Sequence, residues 1–405
     1  MSSLRDNIWW GPPRKFLDRV MERRISWLEL FYDLVYVGVI SQLTTRFAEH
    51  CTAHGLMEFL FYFCFIFWSW MNGSYYHDLH GSAGIRTRYY TLLQMLGVAA
   101  VGIALPYVWE GEFVAFSITF GLVQILITWL WFSVGYYDPE HRPFNRIYTL
   151  FYGVSICMFL LSIWASKELV PWLWGIALFM NYAVFIAAWP NTTRRMRALG
   201  QNFMISNAIV ERLGLFTIIV LGESILGIMH GAGQLDIRSA NTWIEFALCT
   251  TITFLMWWIY FDILGEMEIR QHYSSLLFLI IYFIPLLAAF ACSGISFNMM
   301  LHAGDDVHDL FPRLLFGGCM ITILLSVYGL HYISVEDPED EEMVKKLINI
   351  LLVSAVAVIV FLLFGLHLPL LYFLLGFFAI FFIAVYIGTK KWFRHMMRKQ
   401  AAEKS

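Results

Sequence analysis

Long apolar runs alternate with short polar breaks along this chain, and the runs have the length of membrane helices rather than of strands. They fall at about 27–47, 56–76, 89–108, 112–135, 147–164 and 170–189, and again at about 207–230, 243–264, 275–298, 309–332, 345–364 and 368–388. Each approaches the roughly 20 residues with which an α-helix crosses a hydrocarbon core of ~30 Å. The stretches 147–189 and 345–388 are each interrupted only by a very short hinge, and about 40 residues suffice for two crossings. The pattern predicts an all-α polytopic membrane protein of about twelve transmembrane helices.

Composition reinforces the pattern. Hydrophobic residues make up 59% of the chain and charged residues 14%, with a mean hydropathy of +0.64. A soluble domain carries about 25% charge, so this chain lacks the polar surface that water would demand. The net charge of -3 gives no reason to expect a nucleic-acid partner. Much of the tryptophan lies near run ends, where the ring suits the membrane interface. Cys51, Cys64, Cys157, Cys249, Cys292 and Cys319 are scattered without a CxxC pair or a histidine at ligand spacing, so no disulfide framework or metal site is expected. The first 25 or so residues are basic and amphipathic without an apolar core, and no cleavable signal is visible; the first run is expected to act as its own signal.

Charge asymmetry sets an orientation. With the N-terminus inside, 23 of the 27 lysines and arginines fall on inner segments, and only Arg46, Lys167, Arg238 and Arg313 on outer ones. That bias predicts a cell-membrane protein with both termini cytoplasmic. The expected organisation is a basic N-terminal segment (1–26), a first six-helix half (27–189), a basic linker (190–206), a second six-helix half (207–388) and a basic tail (389–405). A parallel internal repeat is expected from three matches at nearly constant offset: Arg24 with Arg212, Trp68 with Trp257, and Arg86-x-Arg88-Tyr89 with Arg270-x-His272-Tyr273. Parallel six-helix halves occur in secondary transporters.

Ionisable residues inside the runs carry the candidate chemistry, because a carboxylate at membrane depth costs on the order of 2.5–3.5 kcal/mol. Glu29, Tyr32, Asp33 and Tyr36 share one helix face. Two acids on that face must look into a polar cavity, be protonated, or meet a cation, with Arg23, Arg24 or Arg212 as partners in the structural alternative. Glu223 and Ser224 lie about a dozen residues beyond Glu211 and Arg212, near the midplane, and Asp262 follows Trp257 and Trp258 toward an inner helix end. Glu29, Asp33, Tyr36, Glu223, Ser224 and Asp262 are the expected ion- or substrate-binding set. Arg24, Glu211 and Arg212 are expected ion-pair partners, and Trp68, Trp257 and Trp258 expected cavity lining. No nucleotide-binding loop, nucleophile elbow, HExxH or dinucleotide motif is present, so no catalytic residue, cofactor or metal is assigned.

Trp27-Leu-Glu29-Leu-Phe31-Tyr32-Asp33-Leu-Val-Tyr36 resembles the opening signature of the bacterial low temperature requirement A family. Glu211-Arg212-Leu-Gly214-Leu-Phe216 through Leu221-Gly222-Glu223-Ser224-Ile225 resembles its second signature, and Trp257-Trp258-Ile-Tyr260-Phe261-Asp262 its third. Tyr32 and Tyr36 stand where the family commonly has Phe. The resemblance implies a bacterial inner-membrane protein associated by name with growth in the cold, without a settled activity. The expected function is a proton- or cation-coupled secondary transporter, whose partners are the lipid bilayer and a small solute or ion, with a homo-oligomer possible. The alternatives are a sensor or assembly protein without turnover, a membrane-embedded enzyme acting on lipids, and a channel.

Overall fold

The computed structural model describes residues 11–15, 25–82, 84–138, 142–198, 205–236, 238–264, 268–304, 309–335 and 341–403. Among them are twelve helices: α1 (Trp27–Glu49), α2 (Ala53–His80), α3 (Ile85–Trp109), α4 (Val114–Tyr137), α5 (Arg142–Ser162), α6 (Val170–Ala198), α7 (Asn207–Gly233), α8 (Ala240–Leu264), α9 (Tyr273–Ala303), α10 (Phe311–His331), α11 (Glu341–Gly365) and α12 (Leu370–Glu403). Every apolar run of the sequence corresponds to one of them. Nine are long and apolar enough to cross a membrane. The other three, α1, α2 and α5, have 23, 28 and 21 residues and carry more polar side chains. The helices present greasy outer faces: on α11, Val353 is 68% exposed, Leu363 73% and Phe364 80%. Such surfaces suit lipid, where side chains lose nothing by facing outward. The chain is a multi-pass membrane protein.

Two helices outrun their apolar runs. α6 continues through Pro190 to Ala198, and α12 continues to Glu403, although 190–206 and 389–405 read as linker and tail. Hydropathy marks where apolar side chains stop, whereas a helix satisfies its own backbone and can run on into water. At the other end of the scale, a two-stranded antiparallel ribbon pairs β1 (Glu268–Ile269) with β2 (Ser334–Val335), Glu268 opposite Val335 and Ile269 opposite Ser334. Two residues per strand leave no alternation to read. The α3–α4 turn is a glycine-stopped helix end: Gly111, at φ 79°, gives its N–H to Val108 while Glu112 reaches Tyr107.

The described residues form two compact units. The first holds α1 through Arg46, α2 from Met57, α3 to α6, and the opening turns of α7, through Phe216, and of α9, through Leu277. Consecutive helices α3, α4, α5 and α6 pack in series around rings from Phe65, Phe116, Phe120, Phe159 and Trp174; Phe65 meets Phe120 at 4.9 Å and Phe116 meets Trp174 at 4.7 Å between centroids. The second holds the α1–α2 junction, Phe47–Leu56, and the remainder of α7 and α9 with α8, α10, α11 and α12. There Phe316 sits 4.6 Å from Phe297 and 4.8 Å from Phe377.

Candidate functional site

α1 opens with a reciprocal cap. The backbone N–H and hydroxyl of Ser26 both donate to Glu29 Oε2 at 2.9 Å, and the Glu29 N–H returns a bond to Ser26 Oγ at 3.3 Å. This capping box satisfies helix-end donors that apolar surroundings would otherwise strand. Glu29 therefore has a structural duty beyond any ion site, and the Ser26-x-x-Glu29 spacing is its sequence signal.

One turn deeper, Asp33 is 0% exposed and faces Arg212 of α7, itself 1% exposed. Arg212 Nη2 lies 2.5 Å from Asp33 Oδ1 and Nε lies 3.3 Å from Oδ2, a two-pronged pair. Trp70 of α2 adds a third donor, Nε1 to Asp33 Oδ1 at 2.7 Å. The remaining prong, Nη1, points to Glu29 Oε1 at 3.5 Å. The guanidinium lies between two rings, 5.4 Å from Tyr32 and 5.8 Å from Trp70, and Trp70 stacks on Phe216 at 4.3 Å. Each ionic group is thus matched, which burial demands, since an isolated buried charge is prohibitively expensive.

A string of neutral hydroxyls leads away from the pair. Tyr32 OH donates to Tyr36 OH at 3.0 Å, and Tyr36 OH meets Ser69 Oγ of α2 at 2.8 Å. The Tyr32 hydroxyl lies against Gly73, where a Cβ would collide with it and would come 3.1 Å from Gln94 Nε2. Gln94 of α3 is fully buried, and neither of its amide atoms has a partner among the described residues. Further along α2, Tyr152 OH donates to Asn72 Oδ1 and Trp68 Nε1 to the Asn181 carbonyl, while Gln124 and Asn181 exchange a pair of amide bonds at 3.1 and 3.0 Å.

The structure gathers part of the sequence-selected set and separates the rest. Glu29, Asp33, Tyr36 and Arg212 form one cluster in the first unit. Arg212, an expected ion-pair partner of the acids, stands at the centre of that cluster. Glu211 beside it is exposed and makes no ion pair among the described residues, because adjacent helix positions point about 100° apart. Arg23 and Arg24 lie outside the described residues. Trp68 is fully buried, edge-on to Tyr152 at 5.2 Å. Glu223, Ser224, Trp257, Trp258 and Asp262 belong to the second unit. Ser224 Oγ donates to the Phe290 carbonyl at 2.8 Å, which ties α7 to α9. Glu223 on the next position is half-buried. Asp262 is exposed and accepts from Trp258 Nε1 at 2.5 Å, and Trp257 is 38% exposed.

Three participants lie outside the sequence-selected set. Gln94 and Ser69 are polar residues in apolar runs, and that is the whole of their sequence signal. Trp70 was visible as an aromatic in the second run, but its donation to Asp33 depends on two helices meeting. Among the described residues no group of three or more His, Cys, Asp and Glu could hold a metal ion. Chemically, the cluster offers one carboxylate whose proton affinity is tied to a buried cation, flanked by hydroxyls able to pass a proton or coordinate a small ion.

No solved structure gives a significant match. A relative from Rhizobium meliloti (strain 1021), named Uncharacterized protein RA0937, is 28% identical over 255 residues, covering 59% of each chain. This chain therefore spans less than two thirds of that relative's length. The sequence model of a family described as Bacterial low temperature requirement A protein (LtrA) matches residues 24–387. That interval takes in the capped start of α1, Asp33, Arg212 and Glu223, so the residues that build the buried cluster lie inside the match, and the chain belongs to the bacterial low temperature requirement A family.

Proposed function

We propose that this protein is a proton- or cation-coupled secondary transporter of the cell membrane, with the Asp33–Arg212 pair as its coupling element. The observation that carries the reading is a fully buried carboxylate held to a fully buried guanidinium across two helices, α1 and α7. Protonating Asp33 cancels the attraction and leaves Arg212 to seek another partner, which biases how the opening turns of α7 pack on α1. The Tyr32–Tyr36–Ser69 hydroxyls and the Gln94 amide, without a partner among the described residues, support a proton path. Glu223 is assigned to the coupling machinery of the same cycle, on the cost of a carboxylate midway along a membrane helix. The reading includes cytoplasmic termini, supported by the 23-to-4 distribution of cationic residues, and two parallel six-helix halves.

The test is proton and cation flux into sealed proteoliposomes under an imposed gradient, comparing the wild type with Asp33→Asn and Glu223→Gln. Flux in the wild type that falls at least tenfold in each variant, with unchanged thermal unfolding, supports coupling. Full flux in both variants rules it out. A second reading has its own observation: Asp33 already accepts three donors, as a structural lock would. Well-folded wild-type protein that carries nothing under any gradient favours that reading, in which the pair fixes helix packing in a membrane sensor or assembly protein.

A further inference from the structure

A groove of about 1010 Å³ runs along α4 and α5 of the first unit, away from the Asp33–Arg212 cluster's residues. Its two ends differ in chemistry. One is lined by Arg142, Asn145, Arg146 and Thr149 from the opening turns of α5, with Tyr136 and Gly135 from the end of α4. The other is lined by Leu150, Gly153, Val154 and Met158 of α5 and by Phe132 of α4. Along α5, Thr149 to Met158 spans about 14 Å at 1.5 Å per residue, close to the ~15 Å depth of one leaflet's hydrocarbon.

Three observations mark the polar end as a site for an anion. Arg142 and Arg146 are both exposed there, and none of the described lining residues is acidic. Asn145 lines the groove while being only 3% exposed, and neither of its side-chain amide atoms has a partner among the described residues. A buried amide without partners is costly, and a ligand oxygen supplies what it lacks. The positive end of the α5 dipole adds a favourable field at the same place. Arg142 keeps its orientation through Nε to the Gly135 carbonyl at 3.1 Å, which leaves its terminal nitrogens available. Gly135 itself admits Asn145, since a Cβ there would sit 3.2 Å from that of Asn145. The apolar end is open in a specific way: a Cβ on Gly153 would meet nothing within 4 Å.

We propose that this groove binds an anionic phospholipid of the bilayer, its phosphate held by Arg142, Asn145 and Arg146 and one acyl chain lying over Gly153. Charge complementarity selects the headgroup, and the adjoining apolar channel of leaflet depth selects a lipid over a free anion. A site that pairs basic residues with an uncapped amide discriminates by charge, while the Gly153 channel binds any acyl chain alike.

Native mass spectrometry of the detergent-solubilised full-length chain, titrated with phosphatidylglycerol or phosphatidylethanolamine, tests this. The expected result is at least a tenfold preference for phosphatidylglycerol. Arg146→Gln, which removes an exposed side chain, abolishes the preference; the Arg142→Gln, Arg146→Gln double variant does so more completely. Gly153→Leu fills open space and weakens both lipids together, about tenfold, while keeping the ratio. Thermal unfolding of each variant within a few degrees of wild type shows that the fold is intact, and if the double variant unfolds, Arg146→Gln alone decides. Equal binding of the two lipids overturns the headgroup assignment. Displacement of the lipid by inorganic phosphate, with Gly153→Leu indistinguishable from wild type, makes this a free-anion site and overturns the lipid. Binding that vanishes only as a dimer forms makes the groove a face between two copies, and overturns it likewise.

Discussion

Each unit buries an arginine, and the two are satisfied by opposite means. In the first unit Arg212 meets the carboxylates of Asp33 and Glu29 and two aromatic faces. In the second, Arg313 of α10, 3% exposed, donates Nη1 to the carbonyls of Leu366 and Leu368 at 2.8 and 2.5 Å and lies over Phe373 at 5.2 Å. Arg313 closes the end of α11, where the last carbonyls lack helical partners and the dipole is negative. The carbonyls described for it carry no proton to gain, so those contacts do not titrate. The acceptors of Arg212 do, and a protonation event there changes the charge of a buried site. A buried cation alone therefore says little about function; what it is paired with decides whether the contact locks or switches.

The largest effect expected of any single change tests that difference directly. Asp33→Leu strands Arg212 and costs about 3–5 kcal/mol, read as a fall in the thermal unfolding temperature in detergent. Adding Arg212→Met to the same chain recovers most of the loss, because a matched apolar pair in place of a buried ion pair is near neutral. A double variant as unstable as the single one shows that the pair is not a unit. Arg313→Met comes next, at about 1–3 kcal/mol, since it leaves carbonyls rather than a charge unmatched. A loss as large as that of Asp33→Leu erases the contrast between the two arginines.

Smaller effects sharpen the comparison through packing and reactivity. In the second unit α7 and α9 approach at backbone distance: a Cβ on Gly294 would come within 2.6 Å of Ser224 Cα, and Gly227 faces Gly294 from the other side. Gly294→Ala is expected to cost about 1–2 kcal/mol by forcing the helices apart, again read by unfolding temperature, and an unchanged temperature shows that the contact yields freely. The smallest effect is chemical. Cys51, outside the helices and 9% exposed, has its thiol pushed up to about 12, chiefly by burial, with Asp309 reinforcing the shift. A raised value means less thiolate at every pH below it, about one part in 10⁵ at pH 7. Maleimide is expected to leave Cys51 unmodified at neutral pH and to react increasingly as the pH rises; quick labelling at pH 7, followed by mass spectrometry, contradicts the buried placement.

Much of the architecture could be read directly. Helices stand at all twelve apolar runs because spanning length and lipid-facing side chains are local properties, written residue by residue. The face shared by Glu29, Tyr32, Asp33 and Tyr36 was equally legible from 3.6-residue periodicity, and all four are buried. The capping box at Ser26 and Glu29 is local too. Less could be read of what these residues touch. Arg212 was one of three arginine candidates for the acids. Trp70, Ser69 and Gln94 complete the cluster from two further helices, with no spacing rule to connect them. Trp68 and Trp257 occupy matching positions in the sequence comparison, yet one is fully buried and the other 38% exposed.

The sequence by itself determined that this chain lives in a membrane, that it does so as helices, and which carboxylates share a helix face. Those follow from hydropathy and from the fixed geometry of a helix, which need no knowledge of neighbours. Only the tertiary structure decided which arginine answers Asp33, namely Arg212, that Glu211 beside it points away, and that Arg313 ends a helix. Pairing across helices depends on which faces meet, and separations of 179 residues between Asp33 and Arg212 leave no trace in local pattern. In lipid that choice is strict, because a buried charge has no water to fall back on and must find its partner within the protein.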